Sequence, residues 1–398
     1  MRVSTYNRYE NAVDSLQRRQ QALSETQQQM TTGKRIAKPS DDPTALARAE
    51  RAFTTGKRID AEQRSVDASR AAMRLGESTL GQIGDTMQNI RETVVTVGNG
   101  SYTATERAAQ VAQLKSMRAQ LLALANQGDG AGGFVFGGQG ATSAPFLDTP
   151  TGVISTNTGG QMQLSPTEQM PTSIDGNAVW LSVPSGNGVF VTAPGSANTG
   201  HAWVNPGTVD NPSAVTGDSY SLQFSVSGGS TTYTVLRNGA PTALTDAPYT
   251  GGSAISIDGM SFNINGQPAD GDSFSVEPSQ RDLNPFQALD RLIGVISQTN
   301  ASDSQVAQAV STGLRDVDQV MRQMQGARAE AGATLTRLDT IDQRNQDRKL
   351  LTTTVQSDAE DLDMVQAISN FQNQQAGYSA ALQVYSTVQR MSLFDYIK

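Results

Sequence analysis

Four groups of residues in this chain have types and spacings that could do chemistry. Gly128, Gly130 and Gly133 in GDGAGG match the glycine spacing of a dinucleotide fingerprint. That fingerprint works because a strand precedes it and a helix N-terminus follows to receive the pyrophosphate. Here a helical pattern precedes and FVFGG follows, so the stretch reads as a flexible hinge. The hexapeptide TTGKRI occurs at 31–36 and again at 54–59, and its GK could belong to a phosphate loop. Neither copy has the glycine five residues upstream or the Ser/Thr that completes the cradle. Asp41 and Asp42 could hold a metal or act as an acid–base pair. They lie directly before Pro43 at the start of a long helical pattern, where Asp41, Asp42 and Pro43 read as a helix cap, carboxylates being favoured near the positive end of the helix dipole. His201, the only histidine, sits in a Gly/Asn/Pro-rich context and reads as a surface-loop residue.

Composition lowers the case for catalysis further. The chain has no cysteine, which excludes disulfides, thiolate metal sites and cysteine nucleophiles. Most catalytic triads and zinc sites also draw on histidine. The expectation is a non-enzyme with no catalytic, cofactor-binding or metal-binding residues. Between 137 and 280, ten acidic residues face Arg237 alone, a net charge of −9 out of −8 for the whole chain. Phosphate binding needs clustered Lys/Arg, so nucleic acid is not an expected partner. Nowhere do eighteen apolar residues run together, and MRVSTYNRYE lacks the apolar run of a secretory signal, so neither membrane insertion nor a cleaved signal peptide is expected.

The elements are easier to read than the chemistry. Tyr9, Leu16, Leu23 and Met30 recur every seven residues, with Tyr6 and Val13 beside them. That is coiled-coil spacing. The second row continues as Gln20 and Gln27, so the seam is half polar and needs partners. Ile59, Val66, Met73, Leu80, Met87 and Val94 carry the period onward, with Ile83, Ile90 and Val97 alongside. From Pro43 to Val97 this helix would be on the order of 80 Å long, even if broken near Gly81 and Gly84. A second helix, about 105–126, buries Val111, Leu114, Met117, Leu121 and Leu124 and returns antiparallel.

From 137 to 283 the composition turns to Gly, Ser, Thr, Asn and Pro with short alternating runs such as YSLQFSVSG and MSFNING, the pattern of a β domain. Helical pattern resumes at Asn284, with Pro285 at N1, and continues through Val310, Val317, Met324, Ala331 and Leu338 as a third long helix to about 354. Met364, Phe371, Tyr378 and Tyr385, flanked by Ala367, Ala381, Leu382 and Val388, close the chain with the period that opened it. The expected class is α+β multidomain: a long helical coiled-coil or bundle rod from the N- and C-terminal regions, carrying an inserted all-β domain. Residues 1–40 with 357–398 form the terminal-helix domain, 41–136 with 284–356 the rod, and 137–283 the β-rich outer domain. Packing within and between subunits is expected to rest on Tyr6, Tyr9, Val13, Leu16, Leu23 and Met30 at one end. At the other it rests on Phe371, Tyr378, Leu382, Tyr385, Val388, Phe394 and Tyr396.

Thr32-Gly33-Lys34-Arg35-Ile36 followed by Pro39-Ser40-Asp41-Asp42-Pro43, with Ser392-Leu393-Phe394-Asp395-Tyr396-Ile397 near the other end, resembles the flagellin superfamily and, within it, the hook–filament junction proteins. Flagellins usually have DDAAG where this chain has DDPTA, and end in a leucine-rich tail where it has SLFDYI. Phe134-Val135-Phe136-Gly137-Gly138 with Pro145-Phe146 also looks like the junction proteins' entry into their β domain. The resemblance implies export of an unfolded chain through the flagellar export apparatus, with an export chaperone, to an extracellular place in the bacterial flagellum. It implies assembly beneath the filament cap into a ring of copies of itself between the first hook-associated junction protein and flagellin. A flagellin, or a stalk bearing a glycan-binding β domain, are the alternatives.

Overall fold

The structure, a computed structural model, describes residues 5–99, 102–164 and 168–394, with the side chains of 5–9, 104 and 388–394 outside that description. Six helices frame it: α1 (Thr5–Thr32), α2 (Pro43–Val97), α3 (Ala104–Ala125), α4 (Pro285–Ile296), α5 (Asp303–Glu360) and α6 (Met364–Phe394). Between α3 and α4 lie twelve short strands: β1 (Phe146–Thr149), β2 (Gly152–Ser155), β3 (Phe190–Pro194), β4 (Trp203–Val204), β5 (Thr208–Val209), β6 (Tyr220–Ser227), β7 (Ser230–Arg237), β8 (Ala240–Pro241), β9 (Ala247–Pro248), β10 (Ala254–Ile257), β11 (Met260–Asn265) and β12 (Ser273–Pro278). The chain divides into two compact units, Met1–Arg64 with Ile341–Lys398, and Ser65–Thr340. Both α2 and α5 contribute to each.

The seven-residue row of α2 is buried throughout, from Ile59 to Val94, as are Ile83, Ile90 and Val97. The helix runs unbroken through Gly81 and Gly84. A glycine costs an exposed helix about 1 kcal/mol, and the apolar rows on either side outweigh that here. The third long helix, by contrast, is two. α4 is capped by Asn284, whose Oδ1 accepts the N–H groups of Phe286 and Gln287 while Nδ2 donates to the Val153 carbonyl on β2. It stops at Ser297, where no apolar residue continues its face. α5 restarts behind a capping box in which Ser302 Oγ accepts from Gln305 N–H (3.2 Å) and Gln305 Oε1 accepts from Ser302 N–H (3.0 Å). It then reaches Glu360, six residues past the expected end.

In the insertion, β3, β12, β6, β7 and β8 form one antiparallel sheet, with β9 also on β7; β10, β11 and β4 form a second, with β5 also on β11. Their inner faces enclose one core, including Phe190, Tyr220, Phe224, Phe262 and Phe274. Alternation along β11 (Met260, Phe262, Ile264 in) and β12 (Phe274, Val276 in) places these residues. Arg237, the lone basic residue between 137 and 280 apart from the neutral His201, donates Nε–H to Asp218 Oδ2 at 2.6 Å. With the Asn238 amide and the Thr216 hydroxyl, it holds the Asp218 carboxyl at about 2. The first part of the insertion is separate: β1 and β2 form their own hairpin, and a single π-helical turn, Asn177–Leu181, carries Trp180.

GDGAGG is an ordered turn and not a flexible hinge. Asp129 Oδ1 accepts the N–H groups of Ala131 and Gly133, both at 2.8 Å, and Gly128 bridges Phe134. The two copies of TTGKRI fold differently: 54–59 lies inside α2, whereas the first copy ends α1 at Gly33, with φ +69°. His201 is exposed in a loop.

Candidate assembly interface

Gly33 N–H donates to the Gln29 carbonyl (2.8 Å) and stops α1. The next residues bridge to the α5–α6 link: Arg35 N–H donates to the Glu360 carbonyl (2.8 Å) and Leu362 N–H to the Gly33 carbonyl (3.0 Å). Lys34 Nζ lies 3.0 Å from Glu360 Oε1, and Arg35 Nη2 donates to the Ala359 carbonyl at 2.9 Å. The three residues expected as a cap divide their work. Asp42 caps α2 by accepting from Ala45 N–H (2.9 Å), with Pro43 at the first helical position. Asp41 instead clasps the loop before it, accepting from Ala37 (3.1 Å) and Lys38 (2.8 Å). Hydrogen bonds from Ala45 N–H and the Thr44 hydroxyl, with the nearby Arg35 charge, hold the Asp42 carboxyl below the usual carboxylate range.

These links bring α1 and α6 together as a pair. Val13, Leu16, Leu23 and Met30 of α1 and Phe371, Tyr378 and Tyr385 of α6 are half-buried. The companion row on α1 differs from the one expected. Gln20 and Gln27 face solvent, while Thr26, one position earlier, is buried and donates to Gln374 Oε1 at 2.9 Å. Across from Arg19 stands Gly377, where a Cβ would come within 2.7 Å of the guanidinium. A polar seam with one fully paired site fixes register at some cost in stability. Leu382 flanks the seam and stays 43% exposed. Tyr6 and Tyr9 lie on α1, and Val388 and Phe394 on α6, with side chains outside the described ones; Tyr396 lies outside the described residues.

A second set of exposed apolar residues escaped the periodicity: Leu350 (70%), Leu351 (65%) and Val355 on α5, and Val365, Ile368 and Val384 on α6. Those on α5 stand off its buried row, beside Thr352, where the row itself is polar. An apolar pair beside a polar row position, as in KLL, was the available signal. Among the described residues no His/Asp/Glu group could hold a metal ion, and no helix is long and apolar enough to cross a membrane.

Residues 3–141 match the bacterial flagellin N-terminal helical region, and residues 194–278, the two-sheet core of the insertion, match the D2-like domain of flagellar hook-associated protein 1. A curated relative, flagellar hook-associated protein 3 of Salmonella typhimurium, is 26% identical over 99% of each chain. The crystal structure of FlgL from Xanthomonas campestris is 27% identical, covers 77% of this chain and 99% of its own, and superposes with a TM-score of 0.66. The flagellar junction protein FlgL from Legionella pneumophila, 24% identical, shares the fold over 79% of this chain and all of its own, with a TM-score of 0.69. Along nearly its whole length, then, this chain is similar to flagellar hook-associated protein 3, and over residues 3–141 to the helical region with which flagellins begin.

Proposed function

We propose that the chain is a structural adaptor subunit that joins the flagellar hook, through the first hook-associated protein, to the flagellin filament. The observation that carries this is the end-to-end match to a hook-associated protein 3, 99% of both chains. The pairing of α1 with α6 supports it, because that pair leaves apolar side chains such as Leu382 and Val384 uncovered for neighbouring subunits. Residues 1–40 with 357–398 form the inner coiled-coil layer, 41–136 with 284–356 the layer around it, and 137–283 the outward β-rich part. The chain reaches the cell exterior through the flagellar export apparatus with a chaperone, without a cleaved signal. It assembles beneath the filament cap as a ring of its own copies and works by shape-matching, without catalysis.

Removing residues 392–398 tests this in cells. The truncated chain is expected to fold, with helical circular dichroism unchanged within a few per cent, while hooks stay bare and flagellin is lost to the medium. Filaments of normal length on such cells would refute the assignment. The flagellin reading is favoured by one observation, the match of 3–141 to the flagellin helical region. Purified chain added to filament seeds decides it: an adaptor leaves the seeds unelongated, and a flagellin extends them into long copolymers.

A further inference from the structure

We infer that neighbouring copies meet through two different faces of the compact unit built from Met1–Arg64 and Ile341–Lys398. One is a groove on α2. Ala47, Arg51, Thr54 and Arg58 lie three or four residues apart, on one side of the helix, and line a shallow open depression of about 510 Å³ with Glu50 and Thr55. The opposite side of α2 (Ala45, Ala49, Ala52, Ile59) is buried, and Gly56 there packs toward Thr352 of α5. Arg51 and Arg58 have no ion-pair partner among the described residues. The floor between them is small and largely methyl.

The other face is a ridge on α5. Leu350 and Leu351, the most exposed leucines among the described side chains, stand between Asp347 and Asp358, which are both exposed. Asp358 is unpaired among the described residues, and Asp347 has only a long contact from Gln343 (3.3 Å) on its own helix. Ridge and groove are complementary: leucine knobs flanked by two carboxylates, against a small-residue hollow flanked by two guanidinium groups. Arg51 and Arg58 are about 10.5 Å apart along their helix and Asp347 and Asp358 about 16.5 Å. Outward-splayed arginine arms cover that difference.

Because α2 and α5 bury their inner sides on each other, groove and ridge point away from the pair on opposite sides. One copy cannot satisfy both, and two copies cannot do so symmetrically. The contact is heterologous, so it repeats from subunit to subunit, as a ring requires. The inference deepens the adaptor reading above and rests on it.

The absence of native cysteine makes the test clean. Thr54→Cys and Leu351→Cys are made separately in the full chain and expressed alone or together in cells, and isolated flagella are oxidised. The expected result is a disulfide-linked dimer only when both are present. A dimer from either variant alone, or none from the pair while the chain is found in the flagella, overturns the two-face contact and leaves the adaptor reading standing. Absence of the unsubstituted chain from isolated flagella overturns both. In parallel, Arg51→Asp with Arg58→Asp is expected to reduce incorporation about tenfold through two reversed surface pairs. Adding Asp347→Arg and Asp358→Arg is expected to restore it. Incorporation unchanged by the first pair, or unrecovered with the second, counts against the charge match.

Discussion

Trp180→Ala is expected to cost about 3–5 kcal/mol in stability, the range for emptying a large aromatic site in a packed core. Trp180 is fully buried on the π-helical turn, stacked on Phe286 of α4 (5.3 Å between ring centroids, 21° between planes). Phe136 meets it edge-on at 5.8 Å, and Phe146 of β1 lies 6.2 Å away. One indole therefore joins the entry to the insertion, the β1–β2 hairpin and the helix on which the chain leaves. Removing it loosens three segments at once. Trp180→Phe separates packing from polarity. The indole Nε1–H has no acceptor among the described residues, so phenylalanine loses ring volume but also relieves that buried donor, worth about 1–3 kcal/mol. It should cost less than half as much as alanine. Denaturant unfolding followed by the fluorescence of Trp203, the other tryptophan, measures both; an alanine variant within about 1 kcal/mol of wild type would show that the cluster is not a keystone.

How much of this was legible in the sequence depended on whether a single period governed the residues concerned. The α2 row from Ile59 to Val94 was readable because each residue sits seven from the last and all are buried. Phe371, Tyr378 and Tyr385 keep the same spacing on α6 but are half-buried. The α1 companion row was misplaced because buried Thr26 looks no more apolar than exposed Gln27, and only its pairing with Gln374 distinguishes them. The gap between α4 and α5 was encoded in Ser302-x-x-Gln305, yet the strong row beginning at Val310 concealed it. Identical TTGKRI segments show the limit of local reading. Gly33 takes a left-handed conformation because nothing continues α1, while Gly56 stays helical because it packs toward Thr352. Leu350 and Leu351 could be seen only once the buried rows were fixed, since exposure is a property of the packed chain. Trp180 belonged to no period at all, and its partners lie 34 to 106 positions away in sequence.

Arg118→Met is expected to cost about 2 kcal/mol near neutral pH and to flatten the acid limb of the stability profile. On α3, Arg118 donates Nη1 to Asp148 Oδ2 (2.7 Å) and Nη2 to Asp148 Oδ1 (3.0 Å). Nη2 also reaches Asp290 Oδ2 at 2.8 Å, and Nε lies 2.6 Å from Asp290 Oδ1. Its guanidinium carbon sits 5.9 Å from the centroid of the Phe286 ring. One side chain thus ties α3 to β1 and to α4, over the ring on which Trp180 stacks. Both carboxylates are 43% exposed, so water screens the loss, and the figure is set below that of a buried pair. The Arg118 hydrogen bonds hold the Asp148 carboxyl below its ordinary value. The native state then binds fewer protons than the unfolded chain. This contribution is complete above the unfolded value near pH 4 and disappears as pH falls through the lowered folded value. In Arg118→Met, Asp148 loses that cation and its lowering vanishes, so stability below about pH 4 should depend less on pH than in wild type. Arg118→Lys should recover under half of the loss, because a single ammonium cannot fork to two carboxylates. Urea unfolding at a series of pH values measures both effects; an Arg118→Met profile parallel to wild type below pH 4 would place the acid sensitivity elsewhere, in carboxylates such as Asp218 that do not touch this clamp.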